Sequence, residues 1–168
     1  MMILGLTGSI GMGKTTAANN FKRFGIPVHD SDAVIHGLCG PNGAAVDAIG
    51  NAFPSAISNG ILDRKHLSAL VFKDRKKLTK LEAILHPYVW AQKYKFLAYK
   101  SRARSKLVVL DIPLLFETGG DRHCDAVVTV SAPPFIQAAR VLARPGMTQD
   151  KMDAILKRQM PDFEKCRR

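Results

Sequence analysis

Apolar positions along the chain fall into two kinds of run. Short unbroken runs, Met2-Ile3-Leu4-Gly5-Leu6, Leu107-Val108-Val109-Leu110 and Ala126-Val127-Val128-Thr129-Val130, predict buried strands. Ile26-Pro27-Val28-His29 predicts a further short strand that ends at Asp30-Ser31-Asp32. Elsewhere apolar residues recur at helical intervals. Helices are predicted over 16–24, stopped by Gly25 and Pro27; from Ala33, capped by Asp30 or Ser31; and from Ala44 to Phe53, closed by Pro54. Leu62-Asp63-Arg64 predicts a capped helix start with Leu67, Leu70 and Val71 on one face, continued by Leu78, Leu81, Ile84 and Leu85. His86-Pro87 predicts a break, with Pro87 in the first turn of a new helix. Over Tyr88 to Lys100, Trp90, Tyr94 and Leu97 form an apolar stripe expected in the core. Pro133-Pro134 opens a helix to about Ala143, and Thr148 to Gln159 predicts the last one. Gly40 to Gly43, Ser58-Asn59-Gly60 and the basic stretch Ser101 to Ser105 are expected to be turns or breaks.

Strands alternating with helices predict an α/β three-layer sandwich with a parallel sheet, all in one domain. The core is expected over about 1–33 and 106–168. The mainly helical stretch 34–105 is expected as an insertion over the carboxyl ends of the strands, where open sheets bind ligands.

Between the first strand and the first helix lies Gly8-Ser9-Ile10-Gly11-Met12-Gly13-Lys14-Thr15, which fits the phosphate-binding loop pattern Gly-x-x-x-x-Gly-Lys-[Ser/Thr]. Strand, glycine loop and helix are the context this chemistry needs. Glycines let backbone N–H groups turn inward, and the helix N-terminus adds partial positive charge. Lys14 can reach the β- and γ-phosphates, and the Thr15 hydroxyl can hold Mg2+. Gly8, Gly11, Met12, Gly13, Lys14, Thr15 and Thr16 are therefore the expected nucleotide-binding residues.

Composition sharpens the picture. In 168 residues, 46% hydrophobic residues describe a folded chain. Three scattered cysteines, Cys39, Cys124 and Cys166, argue against a disulfide framework or a structural zinc site. With no apolar run of membrane-spanning length and no signal-peptide pattern, the chain reads as cytoplasmic. The net charge of +11 is concentrated: residues 64–106 hold thirteen basic residues against Asp74 and Glu82. A solvated face, a nucleic-acid footprint, and a field that draws in a multiply anionic small substrate all fit that excess. No nucleic-acid recognition motif accompanies it.

Several residues fit kinase chemistry. Asp30 and Asp32 end the second strand, expected next to the first and so close to the loop. One carboxylate can take the proton of an acceptor hydroxyl and others can stand by the magnesium ion, while helix capping is the competing reading. Asp111 ends an apolar run, where phosphate-loop enzymes carry an acidic residue behind the metal. Arg140 and Arg144, four apart, are expected on one helix face, as a phosphate clamp or as a solvated face. His86 and Glu117 read equally well as site residues or as structural ones.

Taken together, Leu6 to Thr16, Asp30-Ser31-Asp32-Ala33, Leu62-Asp63-Arg64, Leu85-His86-Pro87, Asp111-Ile112-Pro113-Leu114-Leu115-Phe116-Glu117, Arg140-Val141-Leu142-Ala143-Arg144 and Arg158-Gln159 resemble the dephospho-CoA kinase family, in its order and about its spacing. The resemblance implies a phosphate-loop NTPase fold with a lid over about 134–159. It implies transfer of the ATP γ-phosphate to the ribose 3′-hydroxyl of dephospho-CoA. It casts Asp32 as general base; Lys14, Arg140 and Arg144 as charge-stabilising groups; Thr15, Asp30 and Asp111 around Mg2+; and Asp32, His86, Leu114 and Glu117 at the acceptor. It makes the 34–105 region the CoA-binding part and gives the basic stretch a reason, because dephospho-CoA carries a pyrophosphate. The expected partners are ATP and dephospho-CoA, with no nucleic acid and no membrane, in a monomer or weak homo-oligomer. Another nucleoside or nucleotide kinase, or a nucleotide-binding switch module, is the alternative; the guanine-reading Asn-Lys-x-Asp of the latter is missing. The family pattern runs on past Cys166-Arg167-Arg168 with a further strand and helix. That predicts an exposed sheet edge or apolar groove here, and weaker ATP binding.

Overall fold

The computed structural model describes residues 1–58, 60–72 and 74–168. The turn expected over 58–60 includes Asn59, which lies outside the described residues. The chain divides into two compact units, Met1–Asp30 with Lys100–Arg168, and Ser31–Tyr99. These boundaries lie a few residues from those read in the sequence.

The first unit is built on a four-stranded parallel sheet of β1 (Met2–Thr7), β2 (Val28–Asp30), β5 (Leu107–Asp111) and β6 (Ala126–Thr129), in the order β2-β5-β1-β6. This corrects one expectation: β2 does not adjoin β1, because β5 lies between them. The reason is burial. Val108, Val109 and Leu110 of β5 are almost wholly inaccessible, so this strand needs neighbours on both sides. The three-residue β2 suffices only for an edge. β6 holds the other edge, with Val128 exposed. Leu4, Leu6, Ala18 and Val109 form the centre of this core, with Ala17 and Phe21 of α1 (Lys14–Arg23) packed against it. The helix α6 (Pro134–Leu142) follows β6. After it come α7 (Gln149–Leu156), capped by the Thr148 hydroxyl, and α8 (Asp162–Arg167). The helix expected to end at Gln159 is thus not the last. Pro161 takes the N-cap position of the new helix α8.

The second unit holds α2 (Ser31–Leu38), α3 (Val46–Ala52), α4 (Arg64–Phe72) and most of α5 (Arg75–Arg102). It also holds an unforeseen antiparallel pair of two-residue strands, β3 (Ile57–Ser58) and β4 (Ile61–Leu62). Leu38, Ala45, Ile49, Phe53, Leu62, Leu67 and Leu81 belong to its own core.

Two expectations about α5 fail. Pro87 lies inside one continuous helix rather than starting another. Proline costs the carbonyl four residues back its partner, but Ala83 and Pro87 are both exposed, so water can serve that carbonyl. Trp90 and Tyr94 are not core: both are more than half exposed, while Lys93 is buried. The face of α5 that packs is set by Leu78, Leu81, Ile84, Leu85, Tyr88 and Val89.

Asp63 caps α4 by accepting from the N–H groups of His66 and Lys65 at 2.9 Å each. The His66 N–H bond is the main reason its carboxyl is held below the ordinary aspartate range. The capping contribution is therefore present at neutral pH and is lost as pH falls through that lowered value. An NMR titration of the Asp63 carboxyl carbon should give a midpoint below that of a free aspartate; an ordinary midpoint would refute the cap.

Candidate functional site

β1 ends at Thr7, and the chain turns through Gly8 to Gly13 before α1 begins at Lys14. Gly13 and Gly11 show why this turn needs glycine. Gly13 occupies the N-cap position of α1 at φ +99°, a left-handed conformation that side chains disfavour. Gly11, at φ +79°, passes so close beneath α6 that a Cβ there would meet Val141 Cγ2 at 2.6 Å and the Gln137 carbonyl at 3.0 Å. α1 carries no side-chain cap, and Gly13 already has its backbone at the helix entrance. The first-turn N–H groups and the helix dipole are consequently directed at whatever anion enters the loop. Met12 is buried, and its sulfur lies 3.1 Å from the Ala132 nitrogen, anchoring the loop to the segment after β6. Thr15 and Thr16 are exposed at the helix start.

Lys14 reaches across to β5, its Nζ 2.6 Å from Asp111 Oδ1. The ammonium is largely shielded and the carboxylate nearly buried, so the pair holds Lys14 in place at the loop. Asp111 is also the register partner of Asp30 across β2 and β5. The sheet thus brings the two carboxylates to the carboxyl ends of adjacent strands despite their distance in sequence. This hard-oxygen set with the Thr15 hydroxyl suits Mg2+, which is commonly bound by one or two carboxylates together with phosphate oxygens. No cluster of three or more His, Cys, Asp or Glu able to hold a metal occurs among the described residues. Substrate oxygens would have to complete such a site.

Arg140, on α6, approaches the Gly11 carbonyl at 3.4 Å through a guanidinium nitrogen. Arg144 departs from expectation. α6 ends at Leu142, so Arg144 lies in the turn beyond it and shares no helix face with Arg140. Pro145-Gly146 cannot sustain the helix, and the last turn closes with the Arg144 N–H on the Val141 carbonyl at 3.1 Å.

The expected acceptor residues differ in setting. Asp32 is exposed in the first turn of α2 in the second unit, two residues beyond Asp30. His86 is exposed and stacks on Trp90, ring centroids 6.2 Å apart, so it is not a buried structural histidine. Also in the second unit, Leu62, Asp63, Arg64, Lys65 and Ser68 line a groove in which Arg64 meets His36 Nε2 at 2.6 Å. Leu114 is exposed beyond β5. Glu117 is engaged structurally: Oε1 accepts from Lys165 Nζ at 2.8 Å and from the Met160 N–H at 2.7 Å. Its Oε2 is buried without a hydrogen-bond partner. The sequence carries no signal for Lys165, because a lysine in a charged C-terminal helix reads as solvated. Gln137 and Gln159, which touch the loop, gave no signal as ligands; Gln159 stood out only within the pair Arg158-Gln159.

No helix among the described residues is long and apolar enough to cross a membrane. A family model described as dephospho-CoA kinase matches residues 2–168. A dephospho-CoA kinase of Paramagnetospirillum magneticum is 59% identical over 165 residues, covering 98% of this chain and 78% of that protein. That of Mesorhizobium japonicum is 52% identical, covering 99% and 84%. Among solved structures, TT1252 from Thermus thermophilus superposes with a TM-score of 0.85 at 37% identity, covering 99% of this chain and 84% of that one. A dephospho-CoA kinase from Campylobacter jejuni shares the fold, with a TM-score of 0.61 at 21% identity, covering 98% and 83%.

Proposed function

Since the chain belongs to the dephospho-CoA kinase family, we propose how its own residues carry out that family's reaction. The reaction is the ATP-dependent phosphorylation of dephospho-CoA at its 3′-hydroxyl, giving coenzyme A and ADP. The observation that carries the assignment of roles is Lys14 held at the mouth of the loop by Asp111, with Asp30 beside Asp111 in register.

The loop from Gly8 to Thr16 cradles the ATP phosphates, with Gly11, Met12 and Gly13 letting the backbone approach them. Lys14 leaves Asp111 for the β- and γ-phosphates and stabilises the charge that builds as the phosphoryl group departs. Arg140, beside the loop, and Arg144, in the turn beyond α6, add positive charge on the same group. Thr15, Asp30 and Asp111 would hold Mg2+, which when bound neutralises phosphate charge. Asp32 accepts the proton of the attacking hydroxyl. The second unit, with its excess of lysine and arginine, receives the anionic acceptor, and exposed His86 takes part in that binding. Leu114 contributes through the exposed apolar surface after β5. Glu117 serves the acceptor region through its hold on Lys165 and Met160 rather than by direct contact.

Asp32→Asn should lower kcat by roughly 10²–10⁴-fold, the usual share of a general base, while leaving binding of an ATP analogue close to wild type. Turnover near wild type would exclude Asp32 as the base. The overall reading is tested by ADP release, followed through coupled NADH oxidation, with ATP and Mg2+ and with or without dephospho-CoA. Release that requires dephospho-CoA supports it; equal release with other nucleosides as acceptor would overturn the choice of acceptor.

A further inference from the structure

Both polar backbone groups of Ile10, in the middle of the phosphate loop, are held by side chains from outside the loop. Its N–H donates to Gln159 Oε1 at 3.1 Å, and its carbonyl accepts from Gln137 Nε2 at 2.8 Å. The backbone partners dictate which way each amide points, since an N–H can be met only by oxygen and a carbonyl only by the NH2 group. Gln137 is buried and sits on α6 one turn before Arg140. Gln159 lies beyond the end of α7. The two glutamines therefore bracket the whole stretch that carries Arg140 and Arg144.

Neither anchor is loose. The residue after Gln159, Met160, donates its N–H to Glu117, and Glu117 is paired with the fully buried Lys165. On the other side, Val141 and the Gln137 carbonyl press against Gly11 at distances that admit no Cβ. Fixing the N–H and the carbonyl of one residue fixes the peptide planes on both sides of it. In a loop that binds phosphate through its backbone, the aim of those planes sets how well the N–H groups that follow converge on the anion.

We propose that Gln137 and Gln159 are positioning residues for ATP. Together they clamp Ile10 in the orientation that aims the loop at the phosphates, and they tie the loop to the stretch bearing Arg140 and Arg144. The proposal rests on the reading of Gly8 to Thr16 as the ATP site, and it is independent of the acceptor.

The test compares Gln137→Met, Gln159→Met, Gln137→Glu and Gln159→Glu in the full chain. It measures the affinity for a non-hydrolysable ATP analogue, KM for each substrate, and the melting temperature. Methionine keeps the length of glutamine and removes the bond. Each methionine variant should weaken analogue binding and raise KM for ATP by about tenfold, the scale of one lost hydrogen bond, with KM for dephospho-CoA within about twofold. The glutamate variants carry the same added charge against the same residue, so they separate bonding from charge. Gln159→Glu still accepts from the Ile10 N–H and should bind the analogue much as wild type does. Gln137→Glu cannot donate and faces the Ile10 carbonyl, so it should bind at least as weakly as Gln137→Met. Equal behaviour of the two glutamate variants, unchanged analogue affinity in the methionine variants, or parallel shifts in KM for both substrates would each overturn the clamp. A wild-type chain that binds the analogue but does not phosphorylate dephospho-CoA would count against the acceptor and leave the clamp standing.

Discussion

Lys14→Ala should abolish measurable turnover, with a loss on the order of 10³-fold or more, while the chain still folds. Phosphoryl transfer asks the protein for little covalent chemistry. Most of the barrier is lowered by fixed positive charge where negative charge collects, and Lys14 is the cation that grows out of the loop itself. Its pairing with Asp111 at 2.6 Å adds a second consequence. Without the ammonium, the nearly buried Asp111 loses a charge-assisted bond of about 1.5–3 kcal/mol, so the melting temperature should fall modestly. Changing Asp111 to Asn in the same background should recover part of that stability and none of the activity. This split between thermal unfolding and ADP release distinguishes a charge acting on the reaction from one that merely supports the fold. Lys14→Ala with substantial turnover would remove Lys14 from the mechanism.

Lys165→Met should lower stability by about 3–5 kcal/mol. The Lys165 side chain is wholly inaccessible and that of Glu117 only 17% exposed, so removing the cation strands a carboxylate that water scarcely reaches. Glu117 is poorly prepared for that, since its Oε2 already has no hydrogen-bond partner. At roughly 2–4 °C per kcal/mol for a chain of this size, melting should drop by about 6–20 °C. The double variant Lys165→Met with Glu117→Gln should be more stable than the single one, because the cost lies in the unpaired charge more than in the missing attraction. A single variant that melts with the wild type would show that the pair carries no stability. Through Met160, the same pair supports Gln159 at the loop, so the single variant should also weaken ATP binding.

These two lysines mark how unevenly the chain can be read. Lys14 was legible because it stands in a local device: glycines for the turn, a lysine and a threonine at the start of a helix, and an apolar strand before them. Every element of that device lies within fifteen residues, and backbone sterics and helix dipoles act at that range. The strands β1 and β5 were legible for a similar reason, since burial demands an apolar run, and β6 keeps such a run although it is a half-exposed edge strand. Their parallel arrangement followed from the helices that alternate with them.

Lys165 was illegible because nothing near it in sequence explains its burial; the explanation is Glu117, brought to it by the fold. The neighbour of β2 was misjudged because chain order does not reveal that β5 slots between β2 and β1. Trp90 and Tyr94 were misplaced because helical periodicity shows that apolar residues share a face, not whether anything covers that face. Arg144 falls two residues beyond Leu142, where α6 ends, a difference of the size by which helix termini fray. Local chemistry thus points to a phosphate-binding loop and to its residues, since propensity, turn geometry and burial patterns are properties of neighbouring residues. Which carboxylate holds Lys14, which glutamines hold Ile10 and which glutamate shelters Lys165 became known only in the folded chain. Those are pairings across 97, 149 and 48 residues or similar separations, and they exist only once the sheet and its helices have brought distant segments together.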